Sequence, residues 1–525
     1  MENQENDVSL KSLFEKYDNR RSSLLTRARK CAELTIPALL PENGHAETDP
    51  LPTPYQGFGA RGVNNLSSKL LLALLPTNSP FFRFDIDGAT MEKLVESMGE
   101  KNFKTNVQAR LARLESSIQQ FLESQASRVP VFQALKLLVA TGNACTFLPD
   151  EGGMRVYRLD QYVVKRDPAG HVIDLITKEK VHPAAIEDED TRAKIVAKTS
   201  EEADKDNVEL YTRVKLTEDG KQWEVLQEVA GEAIPGSEGT YPLKECPWIV
   251  LRWTAIQGED YGRGHVEEYI GDLISLEGLM KSIVEGTAVA AKVIFMVNPN
   301  GTTNVNDLKK AQNTGFVSGS PDDVHCLQVE KQADFQMALN TVVRIEERLA
   351  QAFLLHSSIQ RDAERVTAEE IRFMASELED ALGGIYSILS QEFQRPLLNR
   401  VMGQMRKTGK LPALPEGVVQ LTITTGLEAL GRGHDLNKLI TFVKSIKDLG
   451  EQSVMPYLNM GNLIQRISTA LGVDPEGLIR PEEEVQQAQQ SQQQQAMAQQ
   501  LAPNAVKGMM DMGKAQMEQQ AQPQQ

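Results

Sequence analysis

The sequence predicts an α+β chain that is mainly helical, and three features carry that expectation. From Gly264 to Lys407, long stretches repeat apolar residues at the helical period. Between residues 145 and 255, short β-branched and aromatic runs alternate with turn residues instead. Residues 293–332 then interrupt the helical stretch with strand-like segments and turn chemistry, which splits it into an outgoing and a returning helix. At 525 residues and 41% hydrophobic composition, the chain can bury a sizeable core in one large subunit or in two to four domains.

Taken in order, residues 8–40 read as a helix with interspersed basic residues, ending near Pro37 and Pro41. A proline-rich connector, Pro50-Leu51-Pro52-Thr53-Pro54, follows. Residues 60–75 read as a strongly apolar helix stopped by Pro76, and Phe81–Ile86 as a strand. Residues 92–141 look helical, with Leu111, Leu114, Ile118, Phe121 and Leu122 on one face. Strands are expected at 154–166, 171–177, 208–216, 222–229 and 247–254. The charged stretch from Glu187 to Asp206 reads as a solvated helix or loop.

The outgoing helix carries Val266, Tyr269, Ile270, Leu273, Met280 and Ile283, with Gly271, Gly278 and Gly286 among them, and small residues permit close approach by a neighbour. The insertion at 293–332 holds strand-like Lys292–Val297 and Gly315–Val329 with the turn sequences Asn298-Pro299-Asn300-Gly301 and Gly319-Ser320-Pro321. The returning helix carries Phe335, Leu339, Val342, Ile345, Leu349 and Phe353. Two helices alone cover little apolar surface. This element therefore either meets other copies of the chain or lies as a buried helical hairpin. A third helix opens on Thr367-Ala368-Glu369-Glu370, a capping box in which Thr367 takes the Glu370 N–H and Glu370 reaches back. Its apolar face runs from Ile371 to Phe393, with Gly383-Gly384 and Pro396 as expected weak points. Val418–Thr424 reads as a strand and 435–472 as helix. Beyond Pro481 the chain is glutamine-rich, a composition that suits a disordered tail.

Charge and motifs exclude several functions. The net charge of −16 disfavours a tight sequence-specific DNA binder. It suits either simple solubility or a surface that DNA passes without adhering. Cys31, Cys145, Cys246 and Cys326 are scattered and suggest neither a zinc site nor a disulfide framework, which fits a reducing compartment. Met1–Glu5 lacks the basic and apolar regions of a secretory signal, and the apolar run Leu70–Leu75 is too short to span a bilayer. Gly57-Phe58-Gly59-Ala60-Arg61-Gly62 has dinucleotide-loop spacing, yet Pro50–Gln56 before it is no central strand, so close helix packing is the expected role of its glycines. Gly426–Gly431 has P-loop spacing, but Arg432-Gly433 stands where Lys-Ser/Thr is needed. The seven histidines show no metal-binding spacing, and paired carboxylates such as Glu369-Glu370 read as solvated or interfacial ion-pair partners. No nucleophilic constellation, cofactor or metal is expected.

The stretch Glu364-Arg365-Val366-Thr367-Ala368-Glu369-Glu370-Ile371-Arg372, continued by Ala375–Asp380 and Gly383–Glu392, resembles the head-to-tail connector (portal) proteins of short-tailed phages. So do Gly59–Leu66, Tyr261-Gly262-Arg263, Glu330–Phe335 and Thr425–Gly433, in collinear order from about residue 10 to 480. The stretch near 184–207 and the C-terminal tail depart from the pattern.

The resemblance implies a portal-protein fold: an α/β wing at 1–263, stem helices at 264–292 and 333–356, and a clip at 293–332 between them. It further implies a tunnel loop at 357–366, a long wing helix and strand at 367–425, a crown at 426–480 and a C-terminal helical barrel or tail at 481–525. On this reading the chain is not an enzyme. It forms a dodecameric ring at one capsid vertex, made in the bacterial cytoplasm, through which double-stranded DNA is packaged by the terminase large subunit and later ejected. The implied partners are major capsid and scaffolding proteins, tail adaptor and tail tube proteins, and internal core proteins. Gln360, Arg361 and Arg365 become candidates for facing DNA, or for pairing with Asp362, Glu364 or Glu369 across subunits, while Thr367 and Glu370 cap the helix that follows. A non-channel capsid scaffold and a terminase-type packaging enzyme are the alternatives.

Overall fold

The computed structural model describes residues 9–46, 48–76, 80–86, 103–183, 207–291, 294–327, 332–355, 382–412, 419–423, 442–445 and 463. The chain divides into two compact units, Met1–Ala429 and Leu430–Gln525. Of the second unit, only Phe442–Ser445 and Leu463 are described, as helix. The expected crown, glutamine-rich tail and acidic stretch at 184–206 otherwise lie outside the described residues. The described part is a mixed α/β structure, in which helices and thirteen strands form separate layers.

The strand layer is a six-stranded antiparallel sheet. Strands β4 (Tyr162–Arg166), β5 (Val172–Val181), β6 (Val208–Leu216) and β7 (Gln222–Val229) follow one another across it. The short β8 (Glu232–Ala233) and β9 (Gly239–Pro242) both pair with β7. Side chains alternate across a strand, so the register decides what each face meets. Val163, Ile176 and Tyr211 point one way, onto Leu10, Leu13 and Phe14 of α1 (Leu10–Arg20). Val164, Leu175 and Val214 point the other way, onto Leu25 and Ala28 of α2 (Ser22–Glu33). Glu228 on β7 fixes the start of α1 by accepting the Leu10 N–H at 2.8 Å, an orphan donor of that helix. The expected single helix over 8–40 is thus two, broken at Arg21, whose guanidinium grips Asp18 at 2.8 Å.

A second, three-stranded sheet is ordered β10 (Trp248–Arg252), β2 (Asn143–Phe147), β3 (Arg155–Tyr157). The expected strand over 154–166 is interrupted by a 3₁₀ turn at Leu159–Gln161, so its halves join different sheets.

The helical layer contains α3 (Phe58–Leu74), α4 (Phe103–Ser124) and α5 (Arg128–Thr141). The expected helix over 92–141 is divided by Ala126, at a left-handed φ of 50°; residues 92–102 lie outside the described set. In α3, Leu66, Leu70 and Leu74 are fully buried on one face. Truncating any one to alanine costs about 2–5 kcal/mol, since a packed core closes such a cavity only in part. The α3 glycines serve close packing: a Cβ on Gly59 would lie 2.5 Å from the Leu34 carbonyl oxygen, and one on Gly62 would lie 2.6 Å from Cγ of Phe353.

Gly142 ends α5 at φ 79°, its N–H reaching Leu138 O at 2.8 Å. Asn143 then grips Gly262 reciprocally, donating to its carbonyl at 2.9 Å and accepting its N–H at 2.8 Å. The Tyr261-Gly262-Arg263 stretch therefore joins the three-stranded sheet to the helices after it, and backbone contacts around Gly142, Gly262 and Gly264 leave no room for a Cβ.

After the short α6 (His265–Glu268) come α7 (Ile270–Ala290) and, beyond the insertion, α9 (Gln332–Ala352). Asp272 pairs with Arg348 at 2.6 Å and Gly286 lies against the Phe335 ring, so the two helices run antiparallel. The insertion holds β11 (Ile294–Val297) paired with β12 (Val324–Leu327), and an unforeseen helix α8 (Val305–Lys310). Residues 382–389 are helical, straight through Gly383-Gly384, and a π turn at Ser390–Gln394 leads into α10 (Arg395–Lys407). Pro396 has no N–H to offer the Glu392 carbonyl, and the Arg395 N–H reaches back five residues to Ser390 O. Strand β13 (Val419–Ile423) pairs antiparallel with β1 (Phe82–Ile86), which Glu115 anchors by accepting the Phe84 N–H at 2.8 Å.

Candidate functional site: the helical hairpin and the long helix

Leu273 and Leu276 of α7 and Val342, Ile345 and Leu349 of α9 are buried near the hairpin's base, continuous with the main core. Farther out the packing thins. On α7, Ile274, Val284 and Val289 are exposed, and on α9 Met337 (72% exposed) and Val343 join them. Ser275 and Ser282 turn their hydroxyls back onto the Gly271 and Gly278 carbonyls at 2.8 Å, which removes free donors from that stretch of α7. Another part of α7 is covered by the proline-rich connector. Glu277 accepts the Tyr55 N–H at 2.9 Å and the Gln56 N–H at 3.2 Å.

One carboxylate ties parts of the insertion together. Asp323 Oδ2 accepts from the Thr303 hydroxyl at 3.0 Å and from the N–H groups of Thr302 and Thr303 at 2.9 and 3.2 Å. These donors hold its carboxyl below the usual range, the Thr303 hydroxyl contributing most. The insertion also exposes apolar side chains: Phe295 and Met296 by more than half, and Phe316 fully.

The long helix is tied to the strand layer by buried charge. Glu392, in the π turn, accepts from Arg252 through its backbone N–H at 3.0 Å, Nε at 2.9 Å and Nη2 at 2.5 Å. Arg166 Nη1 lies 3.5 Å from the same carboxylate and donates to the Gly170 carbonyl, while its Nη2 and Nε donate to the carbonyls of Val250 and Asp260. Burial pulls the Arg166 pKa down and Glu392 opposes it. Arg400 reaches Leu148 O at 3.1 Å and Asp150 at 2.8 Å, Arg406 pairs with Glu245, and Lys407 with Asp150. Sequence reading missed this cluster, whose members stand up to 257 residues apart in the Lys407–Asp150 pair.

Gln360, Arg361, Arg365, Thr367 and Glu370 all fall within residues 356–381, outside the described set. Burial pushes the Cys31 and Cys246 thiols up to about 12 and Cys145 well above the ordinary range, which keeps all three protonated. Among the described residues no group of carboxylates, histidines and cysteines could hold a metal ion. No described helix is long and apolar enough to cross a membrane.

Residues 8–479 match the family described as "Bacteriophage head to tail connecting protein". The chain is 43% identical over 488 residues to the portal protein of Escherichia phage T7, covering 92% of this chain and 90% of that one. It is 42% identical over 480 residues to the portal protein of Enterobacteria phage T3, covering 91% and 89%. With the portal protein of Pseudomonas phage phiKMV the figures are 32% over 515 residues, 96% and 98%. These similarities run nearly end to end, through the strand layer, the hairpin and the long helix alike. The chain therefore belongs to the family of bacteriophage head-to-tail connecting, or portal, proteins: structural, non-enzymatic components of the virion at the head–tail junction.

Proposed function

We propose that this chain forms a closed dodecameric ring whose central channel conducts DNA during packaging and ejection. Family membership implies an oligomeric ring connecting head and tail. The twelve-fold copy number, the parts and the partners are the proposal. Residues 1–263 form the wing, α7 and α9 the stem, and the insertion between them the clip. Residues 357–366, with Gln360, Arg361 and Arg365, form the loop that narrows the bore. Residues 367–425 complete the wing, 426–480 form the crown, and 481–525 a C-terminal barrel or tail. The terminase large subunit and then the tail adaptor engage the clip, while capsid, scaffolding and internal core proteins contact the rest.

The observation that carries this reading is the apolar surface left along the hairpin and its tip. Met337, Val343, Ile274 and Val284 are exposed on an antiparallel pair that the other described residues cover only in part. Apolar side chains exposed along one element suit an interaction site, and in a ring each neighbouring copy brings an equivalent hairpin. Introducing charge tests it. Met337→Glu with Val343→Glu should leave helical content unchanged, because both side chains are solvent-facing in the single chain. Rings should fail to form, because two carboxylates would be desolvated at every subunit boundary. Intact rings from this variant, seen by native mass spectrometry, would exclude that face from the interface.

A further inference from the structure

The last carbonyls of an α-helix have no partner within the helix and must find one elsewhere. At the end of α9 each can be followed. Leu355 N–H donates to Ala350 O at 2.8 Å, and Leu354 N–H to Gln351 O at 3.2 Å. Between them Leu354 adopts a left-handed φ of 52°. This is the Schellman arrangement, which ordinarily places glycine where Leu354 stands, because a Cβ opposes the left-handed conformation. A leucine there needs support from outside the helix.

That support comes from two other helices. His265 on α6 has Nε2 2.9 Å from Ala352 O, and since a carbonyl can only accept, Nε2 carries the proton. Asn65 on α3 donates from Nδ2 to Phe353 O and to Leu354 O, both at 3.0 Å. Lys69 Nζ reaches Leu354 O at 2.8 Å. Asn65 and Lys69 are four residues apart and so share a face of α3. Gly62, one turn earlier, admits the Phe353 ring against the α3 backbone. Phe353 is fully buried and Leu354 nearly so. The five carbonyls from Ala350 to Leu354 are thereby all satisfied, two by the helix's own cap and three by side chains separated in sequence by up to 289 residues.

We infer that Asn65, Lys69 and His265 are positioning residues, which hold Leu354 left-handed and so set the direction in which the chain leaves the hairpin toward Gln360, Arg361 and Arg365. The clamp itself follows from hydrogen bonds at α9. Its consequence for DNA rests on reading 357–366 as the channel loop.

The test uses the full-length assembled protein. Asn65→Ala with Lys69→Met removes three donor contacts while leaving Gly62 and the apolar packing in place. Hydrogen exchange at the amides of Leu354 and Leu355 should then quicken about tenfold, roughly the loss of one hydrogen bond's worth of stability. Adding Leu354→Gly should return exchange to within about twofold of wild type, because glycine takes the left-handed conformation without help. A merely structural loss would not be rescued at that position. If the double variant does not assemble, Lys69→Met alone, which keeps most of the side chain's apolar stem, should give a smaller acceleration that Leu354→Gly likewise reverses. Unchanged exchange in the clamp variants, or no rescue by Leu354→Gly, overturns the inference. Capsids carrying the same rings supply the second arm. Reduced DNA retention that Leu354→Gly restores supports both the clamp and the channel loop. Quickened exchange with normal retention supports the clamp and contradicts the channel-loop reading.

Discussion

Replacing Glu392 by alanine should loosen the junction between the long helix and the strand layer more than any surface substitution. Among the described residues, the change leaves the Arg252 guanidinium, with its side chain 7% exposed, holding only a 3.4 Å contact to the Gly170 carbonyl. Arg166 fares better, because its bonds to the Gly170, Val250 and Asp260 carbonyls survive. Removing one partner from a buried pair costs about 3–5 kcal/mol. The surviving Arg166 bonds and the 16% exposure of the Glu392 side chain place this case near the lower end, at about 3 kcal/mol. Arg252→Met should cost less, since a long apolar side chain fills the space, and Glu392→Ala with Arg252→Met together should cost far less than the sum. The expected coupling is about 2 kcal/mol. Guanidinium titrations of assembled protein, followed by tryptophan fluorescence, suit the question because the fully buried Trp253 adjoins Arg252 in sequence. Strict additivity of the two substitutions, with a coupling below about 0.5 kcal/mol, would show that the geometry carries no energetic link.

Two further outcomes follow from single groups. Burial holds the His265 pKa below its ordinary 6.5, so the folded chain favours the neutral ring. Stability should be flat above pH 6.5 and fall as pH drops below it, where the unfolded chain binds the proton more readily. His265→Gln should flatten the melting temperature between pH 7.5 and 5.5, and an unaltered slope would count against the assignment. Arg361→Ala with Arg365→Ala should leave rings assembled and normally stable while impairing DNA packaging or retention in a salt-dependent way, since repeated phosphate contacts are screened by salt. Dissociated rings would instead assign the two arginines to inter-subunit ion pairs.

What the sequence disclosed was local. The 3.6-residue period located α3, α7 and α9, whose apolar residues face a core and therefore repeat. Alternation located β5, β6 and β7 for the same reason. Breaks were less legible. The helix expected over 8–40 parts at Arg21, whose side chain pairs with Asp18, and the one expected over 92–141 parts at Ala126, where the overlooked sign was Pro130 in the first turn of α5. Pairing was not legible at all: β1 meets β13 across more than three hundred residues, and nothing in either strand names the other. The same holds for the Glu392 cluster and the clamp at Leu354, where each residue alone looks like an ordinary surface polar group. Pro396 was expected to mark a weak point in the long helix, and the helix does depart from regular geometry just before it, in a π turn that delivers Glu392 to Arg252. Gln360, Arg361 and Arg365 were singled out by family resemblance and Thr367 and Glu370 by the capping-box pattern, and all five lie outside the described residues.

The central claim is that the hairpin's uncovered apolar surface closes a ring. Native mass spectrometry of the purified full-length chain, across a range of concentration and salt, tests it most directly. The account predicts one closed oligomer near twelve copies that persists on dilution and shows an axial hole in particle images. Monomers and dimers alone under every condition would contradict it.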